Sequence, residues 1–211
     1  MAVVEEELHD RWTLDLGHDR DANTTFDRLL TRYREPHRAY HTLAHVLRVL
    51  RRIDELLAVV PVPDASAVRL AAWYHDAVYD PRAGPGVNEA ASASLARRDL
   101  EALGQGAVRV GDVERLVMVT ASHEPSAGAA DEAVLCDADL AVLGGDPQAY
   151  TAYVNGVRTE YDFVTTDEWR VGRAAVLRSF LDRESIYSTP PMHGLEATAR
   201  ANLTAELASL G

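Results

Sequence analysis

Five residues of this chain combine reactive types with a telling order: His45, the adjacent pair His75 and Asp76, and the close pair Asp137 and Asp139. Imidazoles and carboxylates together form a mixed nitrogen and oxygen donor set that suits Mn²⁺, Fe²⁺, Co²⁺, Ni²⁺ or Zn²⁺, with Mg²⁺ admitted by the carboxylates. An ion held in that way acts as a Lewis acid and activates bound water. Each polar group interrupts an apolar surface. Val46, Leu47, Val49, Leu50 and Ile53 follow His45; Leu70, Trp73, Tyr74, Ala77 and Val78 flank the His-Asp pair; Val134, Leu135, Cys136, Leu140, Val142 and Leu143 surround the two aspartates. Carboxylates are costly to bury without a cation or hydrogen-bond donors. Singly these residues are ordinary. On three successive apolar-backed segments, in the order histidine, histidine-aspartate, aspartate, they point to one metal site.

His37, His41 and His45 lie four residues apart, which would align them on one helix face. Pro36 and the N-cap type Thr42 argue instead for a helix that begins at Thr42, with His45 in its first turn and His41 ahead of it. Apolar residues recur at helical spacing almost throughout and no alternating strand pattern stands out, so the chain reads as all-α. Helices are expected at roughly 3–16, 24–34, 42–59, 66–79, 88–103, 111–122, 131–143, 147–162, 167–183 and 194–209. Thr42, Ser66, Asn88 and Asp167 have the side chains of N-caps, and Gly104 and Gly144 can close helices in the left-handed conformation. Pro81, Gly84, Pro85 and Gly86 break the chain just after the His-Asp pair; further breaks fall at 124–130 and 188–194. No internal repeat or linker appears, so residues 1–211 read as one domain, a compact bundle with the metal site between core helices. The helices of about 1–34 and 145–211 would lie against that core.

Composition removes several classes. All 21 basic residues are arginine, so neither a P-loop lysine nor a Schiff-base lysine exists. A net charge of −12 argues against non-specific nucleic-acid binding. No stretch has the length and apolarity of a membrane span, the first ten residues are acidic, and a cytoplasmic protein is expected. The single Cys136 permits no internal disulfide and reads as an inert core thiol.

Through Tyr40-His41-Thr42-Leu43-Ala44-His45, His75-Asp76-Ala77-Val78-Tyr79-Asp80 and Asn88-Glu89-Ala90-Ala91-Ser92-Ala93, the chain resembles the HD superfamily of metal-dependent phosphohydrolases. More narrowly, it resembles a group of small bacterial HD proteins described as predicted phosphohydrolases. Asp137-Ala138-Asp139-Leu140, Gly172-Arg173, Phe180-Leu181 and Ile186-Tyr187 extend the likeness. The resemblance implies His45, His75 and Asp76 as metal ligands, with the last aspartate in the Asp-Ala-Asp segment; Asp139 is the choice there. Asp137 is then a candidate to orient a ligand or water, the role most easily exchanged with that of Asp139.

Two-metal relatives use further histidines where this chain has Asn88, Glu89 and His123, so one divalent ion is expected. Glu89 and His123 would serve a second ion, and His41 is a further candidate near the site. The implied reaction is hydrolysis of a phosphoester by metal-activated water, on a nucleotide or another small phosphorylated metabolite. Asp80 and Glu89 are candidates for the acid–base role, Arg38, Arg158 and Arg173 for gripping phosphate, and Tyr40 and Tyr79 for stacking on a base. Core packing is the expected role of Trp73. A di-iron oxygenase on the same scaffold and a non-catalytic nucleotide sensor are the alternatives, and a homodimer is open as an assembly.

Overall fold

The computed structural model describes residues 2–211 and forms ten α-helices with no strand among them, as the periodicity implies. α1 (Ala2–Leu16) and α2 (Arg20–Arg32) make an antechamber to the core. Asp19 caps α2 by accepting the N–H groups of Asp21 and Ala22, which starts that helix four residues ahead of the expected position. From these helices Trp12 and Phe26 meet Trp73 at ring-centroid separations of 5.4 and 5.8 Å, and Tyr33 donates its hydroxyl to the Trp73 carbonyl. Trp73 is fully buried core, two residues before His75.

α3 (Leu43–Leu57), α4 (Ala65–Tyr74), α6 (Ala107–Val119) and α7 (Ala130–Asp139) make the centre: α3 lies on α4 and α7, and α4 also lies on α6 and α7. α5 (Val87–Ala102) runs along α6. α8 (Pro147–Glu160), α9 (Thr166–Leu181) and α10 (Glu196–Ser209) follow, with α10 against α9 and the short 3₁₀ turn Leu140–Gly144. The caps partly differ from expectation. Thr42 occupies the N-cap of α3 in extended conformation without a side-chain cap bond, Asp64 rather than Ser66 caps α4, and Thr165 with Glu168 forms a capping box for α9. Gly86, with φ of 75°, starts α5 in place of Asn88. Gly104 closes α5 in the left-handed conformation, with the Gln105 N–H reaching back to the Leu100 carbonyl. Gly144 serves close approach instead, because a Cβ there would lie 2.7 Å from the Leu195 Cβ.

The most consequential departure is the end of α4. The helix expected to run to residue 79 stops at Tyr74, and His75 is its C-cap. Distant donors compete for the carbonyls beyond it: Arg38 donates to Asp76 O and Ala77 O, and Ser92 bonds both the N–H and the carbonyl of Val78. His37 Nε2 lies 2.8 Å from Tyr79 O. Backbone groups so satisfied gain nothing by continuing the helix.

The last three helices are joined through a buried ion pair. Arg173 donates to both carboxylate oxygens of Glu206, at 2.7 and 3.0 Å, and to the Tyr153 hydroxyl, while Tyr150 also donates to Glu206. None of the helices is long and apolar enough to cross a membrane. Cys136 is buried, and burial pushes its thiol well above its ordinary range, in keeping with an inert core residue. Glu206→Ala strands the Arg173 charge in the interior and is expected to cost about 3–5 kcal/mol of folding free energy in urea titrations; a change near zero would show the pair to be dispensable.

Candidate metal centre

His45 faces inward from the first turn of α3, held there by the buried stripe Val46, Leu47, Val49, Leu50 and Ile53 and by Tyr40, whose ring lies 4.9 Å from it. His75 sits at the C-cap of α4 with Nδ1 2.8 Å from the Ala72 carbonyl. A carbonyl only accepts, so Nδ1 carries the proton and Nε2 offers a lone pair, the tautomer a metal ligand needs. Asp76 follows in the turn and Asp139 ends α7.

The donor atoms of His45, His75 and Asp76 lie within 4.8 Å of one another. His45 Nε2 is 3.0 Å from His75 Nε2, 3.4 Å from Asp76 Oδ2 and 3.1 Å from Asp139 Oδ1. His75 Nε2 is 3.0 Å from Asp76 Oδ2 and 3.6 Å from Asp139 Oδ1. Neighbouring ligands about 2.1 Å from one ion stand roughly 3.0–3.4 Å apart, so His45, His75 and Asp76 could hold a single small divalent cation, with Asp139 beside the two histidines. The electrostatics agree. Burial disfavours the charged forms of Asp76 and Asp139, but the facing imidazoles outweigh it, and both carboxyls are held well below their usual range. His75 is pushed up in return, chiefly by Asp76 and Asp139 against the cost of burial. Positive charge is what this cluster favours at its centre.

Asp137 and Asp139 part company because residues two apart on a helix point about 200° apart. Asp139 faces the histidines, while Asp137 accepts the N–H groups of Ser188 and Thr189 and the Thr189 hydroxyl. The Asp137 carboxylate therefore anchors the loop at Ser188 and Thr189. His123 lies 2.7 Å from Asp139 Oδ2 and so can hold the outer oxygen of that carboxylate. It has a φ of 50°, unusual for a residue with a Cβ, and its segment is clamped by Arg183 donating to the carbonyls of Ser122 and His123.

His75, Asp76 and Asp139 form the floor of a cavity of about 680 Å³ walled by residues from α5, α8 and α9 and the turns after α4 and α6, while His45 lines an adjoining cavity. Glu89, half-buried, lines it and makes no hydrogen bond or ion pair among the described residues, and Tyr40 and Tyr79 also line it. Other expected site residues do not serve it. Asp80 is exposed outside the cavity, where its carboxylate accepts the Arg82 N–H and its backbone pairs with Asn88. Leaving the helix turned it away from Asp76. The Arg38 guanidinium is buried between the Tyr33 and Tyr79 rings and engaged by Glu35 and by the carbonyls of His41, Asp76 and Ala77. Arg158 lies over Trp169 and donates to the carbonyls of Tyr161 and Val164. Arg173 lines the cavity but is committed to Glu206. None of these three arginines is free to grip phosphate.

A residue unforeseen in this role, Glu160, organises the cavity edge. One buried oxygen accepts the N–H groups of Ala39, Tyr40 and His41, and the other meets His41 Nδ1 at 2.6 Å and the Tyr79 hydroxyl at 3.0 Å. Its one sequence signal is a carboxylate at the C-terminal end of α8, where the helix dipole disfavours negative charge. Burial would raise Glu160, but His41 and the backbone donors carry it from 4.5 down to about 2. Burial would lower His41, and the charge of Asp76 with the Glu160 bond carries it above 6.5 instead.

No family model matches the chain, and no curated protein or solved structure matches it at a significant level.

Metal analysis of purified protein is expected to find about one divalent ion per chain, lost in His75→Ala and Asp139→Asn and kept in Asp137→Asn. Retention of the ion by His75→Ala would exclude this donor set. The paired charges of Glu160 and His41 also set a pH window. The depressed Glu160 adds stability that is present above pH 4.5 and lost as pH falls through about 2, and the raised His41 adds stability present below 6.5 and lost at higher pH. The destabilisation by Glu160→Gln, read by urea unfolding, is therefore expected to be largest between those limits and to shrink toward pH 2. A difference flat across that range would show the pair to be uncoupled from folding.

Proposed function

We propose that this protein is a metal-dependent phosphohydrolase acting on a phosphoester of a nucleotide or another small phosphorylated metabolite. The observation that carries the reading is the convergence of two imidazoles and two carboxylates, of which His75, Asp76 and Asp139 lie at the floor of an open cavity large enough for a small molecule. The order of those ligands along the chain, similar to that of HD phosphohydrolases, supports the same reaction. When bound, a divalent ion would supply Lewis acidity toward a phosphoryl oxygen and acidify a water molecule.

The chain's own residues divide the remaining work. His45, His75, Asp76 and Asp139 hold the ion, and His123 fixes the second oxygen of Asp139 so that the first keeps its direction. Glu160 holds His41 by Nδ1, which leaves Nε2 to donate to a phosphoryl or leaving oxygen in the cavity. Glu89 is the cavity carboxylate left without a partner and so the acceptor for the proton of the attacking water. Asp80 has no part in this scheme.

The test is phosphate release from a panel of nucleotides and small phosphoesters with each candidate metal. Metal-dependent release is expected, with Glu160→Gln lowering kcat by about 10²-fold or more while metal content stays intact. Inactivity on every substrate with the ion bound would overturn the proposal.

A further inference from the structure

Resting on the phosphohydrolase reading, we propose that the cavity takes a monoester with a single phosphate and an aromatic organic group that is uncharged or cationic, and that it discriminates against nucleoside di- and triphosphates. Each added phosphate brings negative charge that a binding site must meet with arginine, lysine or further metal ions. The chain contains no lysine, and the cavity wall holds two arginines, neither with its terminal nitrogens free. Arg173 gives one to Tyr153 and the other to Glu206, and Arg183 gives both to backbone carbonyls, with its guanidinium over the Phe180 ring.

The remaining wall charge is negative. Asp76 and Asp139 balance the charge of one divalent ion, His41 is balanced by Glu160, and Arg173 by Glu206. Glu89 and Glu168 then face the cavity against Arg183 alone. Glu168 bonds Thr165 and keeps its charge there. Arg48, exposed and without an acidic partner among the described residues, lies over the Tyr40 ring in an adjoining cavity. Tyr40, Asp139 and Tyr153 border both cavities, and Arg48 lines only the adjoining one. One phosphate at the metal floor is therefore accommodated, and a chain of phosphates meets Glu89 and Glu168. The other half of the ligand finds aromatic faces at Tyr161 and, on the sides that Arg38 and Arg158 leave open, at Tyr79 and Trp169, which line the wall with Val157 and Val164. Rings stack on such faces, and a carboxylate beside them accepts from an amino group or pairs with a cation.

The experiment compares AMP with ADP and ATP on the Mn²⁺-loaded full chain, by calorimetric binding and by phosphate release. AMP is expected to bind at least tenfold more tightly than ATP and, where turnover occurs, to show a kcat/KM at least tenfold higher. Val176→Arg, which adds a cation to the cavity wall, is expected to narrow the binding preference at least threefold. ATP or ADP binding as tightly as AMP, or no binding of AMP at all, overturns the inference. Failure of every substrate to release phosphate while the AMP preference in binding persists would overturn the phosphohydrolase reading and leave the ligand class standing.

Discussion

Two carboxylates and two imidazoles meet inside this protein, and the rest of the structure is arranged around keeping their charge balanced. His45 and His75 are buried, and Asp76 and Asp139 retain only a fifth or less of their side-chain exposure. Negative charge so enclosed needs a cation or protons within contact distance. No lysine or arginine fills that place; the nearest groups are the imidazoles themselves. A divalent ion, as proposed above, would provide that balance, and the short donor separations would suit it.

Charged groups elsewhere act as braces for this centre. Arg38 holds the turn that carries Asp76 by taking carbonyls that α4 would otherwise have used, and Arg183 holds the strained turn that presents His123. Arginine suits this task because its planar fork reaches several acceptors at fixed angles. Glu160 does the complementary work with acceptors, gathering three backbone N–H groups, an imidazole and a phenol on one carboxylate. Each brace is itself buried or nearly so, which makes its geometry stiff and its removal expensive.

The parts of this arrangement that were legible in the sequence are those that local periodicity encodes. His45 and the His75-Asp76 pair stand out because they interrupt apolar helical surfaces, and the all-α class follows from the same spacing. The choice between Asp137 and Asp139 was not legible in the same way. Both lie in one apolar run, and which of them faces the histidines depends on the rotation of α7, set by packing against α3 and α4. The early end of α4 was hidden for a related reason: its cause lies in Arg38 and Ser92, far away in the chain. Asp80 was misplaced as a consequence, since its expected helical side assumed that α4 continued. Arg38, Arg158 and Arg173 stand out in the sequence by their place near the family-like segments and by their charge, and neither reveals that a guanidinium is already saturated by carbonyls or by Glu206.

Saturation of the arginines has a consequence for binding at the cavity. A protein with 21 arginines and no lysine has ample positive charge for anions, yet at its main cavity that charge is turned into the scaffold. On the proposed reading, affinity for an anionic ligand would come from a metal at the floor, the His41 donor and apolar contact, in proportions that favour a small ligand with one anionic end. Electrostatic attraction confined to a single point in a cavity would also fix orientation: on the proposed reading a phosphate would go to the floor and leave its organic group against Tyr79, Tyr161 and Trp169. Selectivity of this kind arises from the absence of free donors along the wall as much as from the presence of ligands at its base.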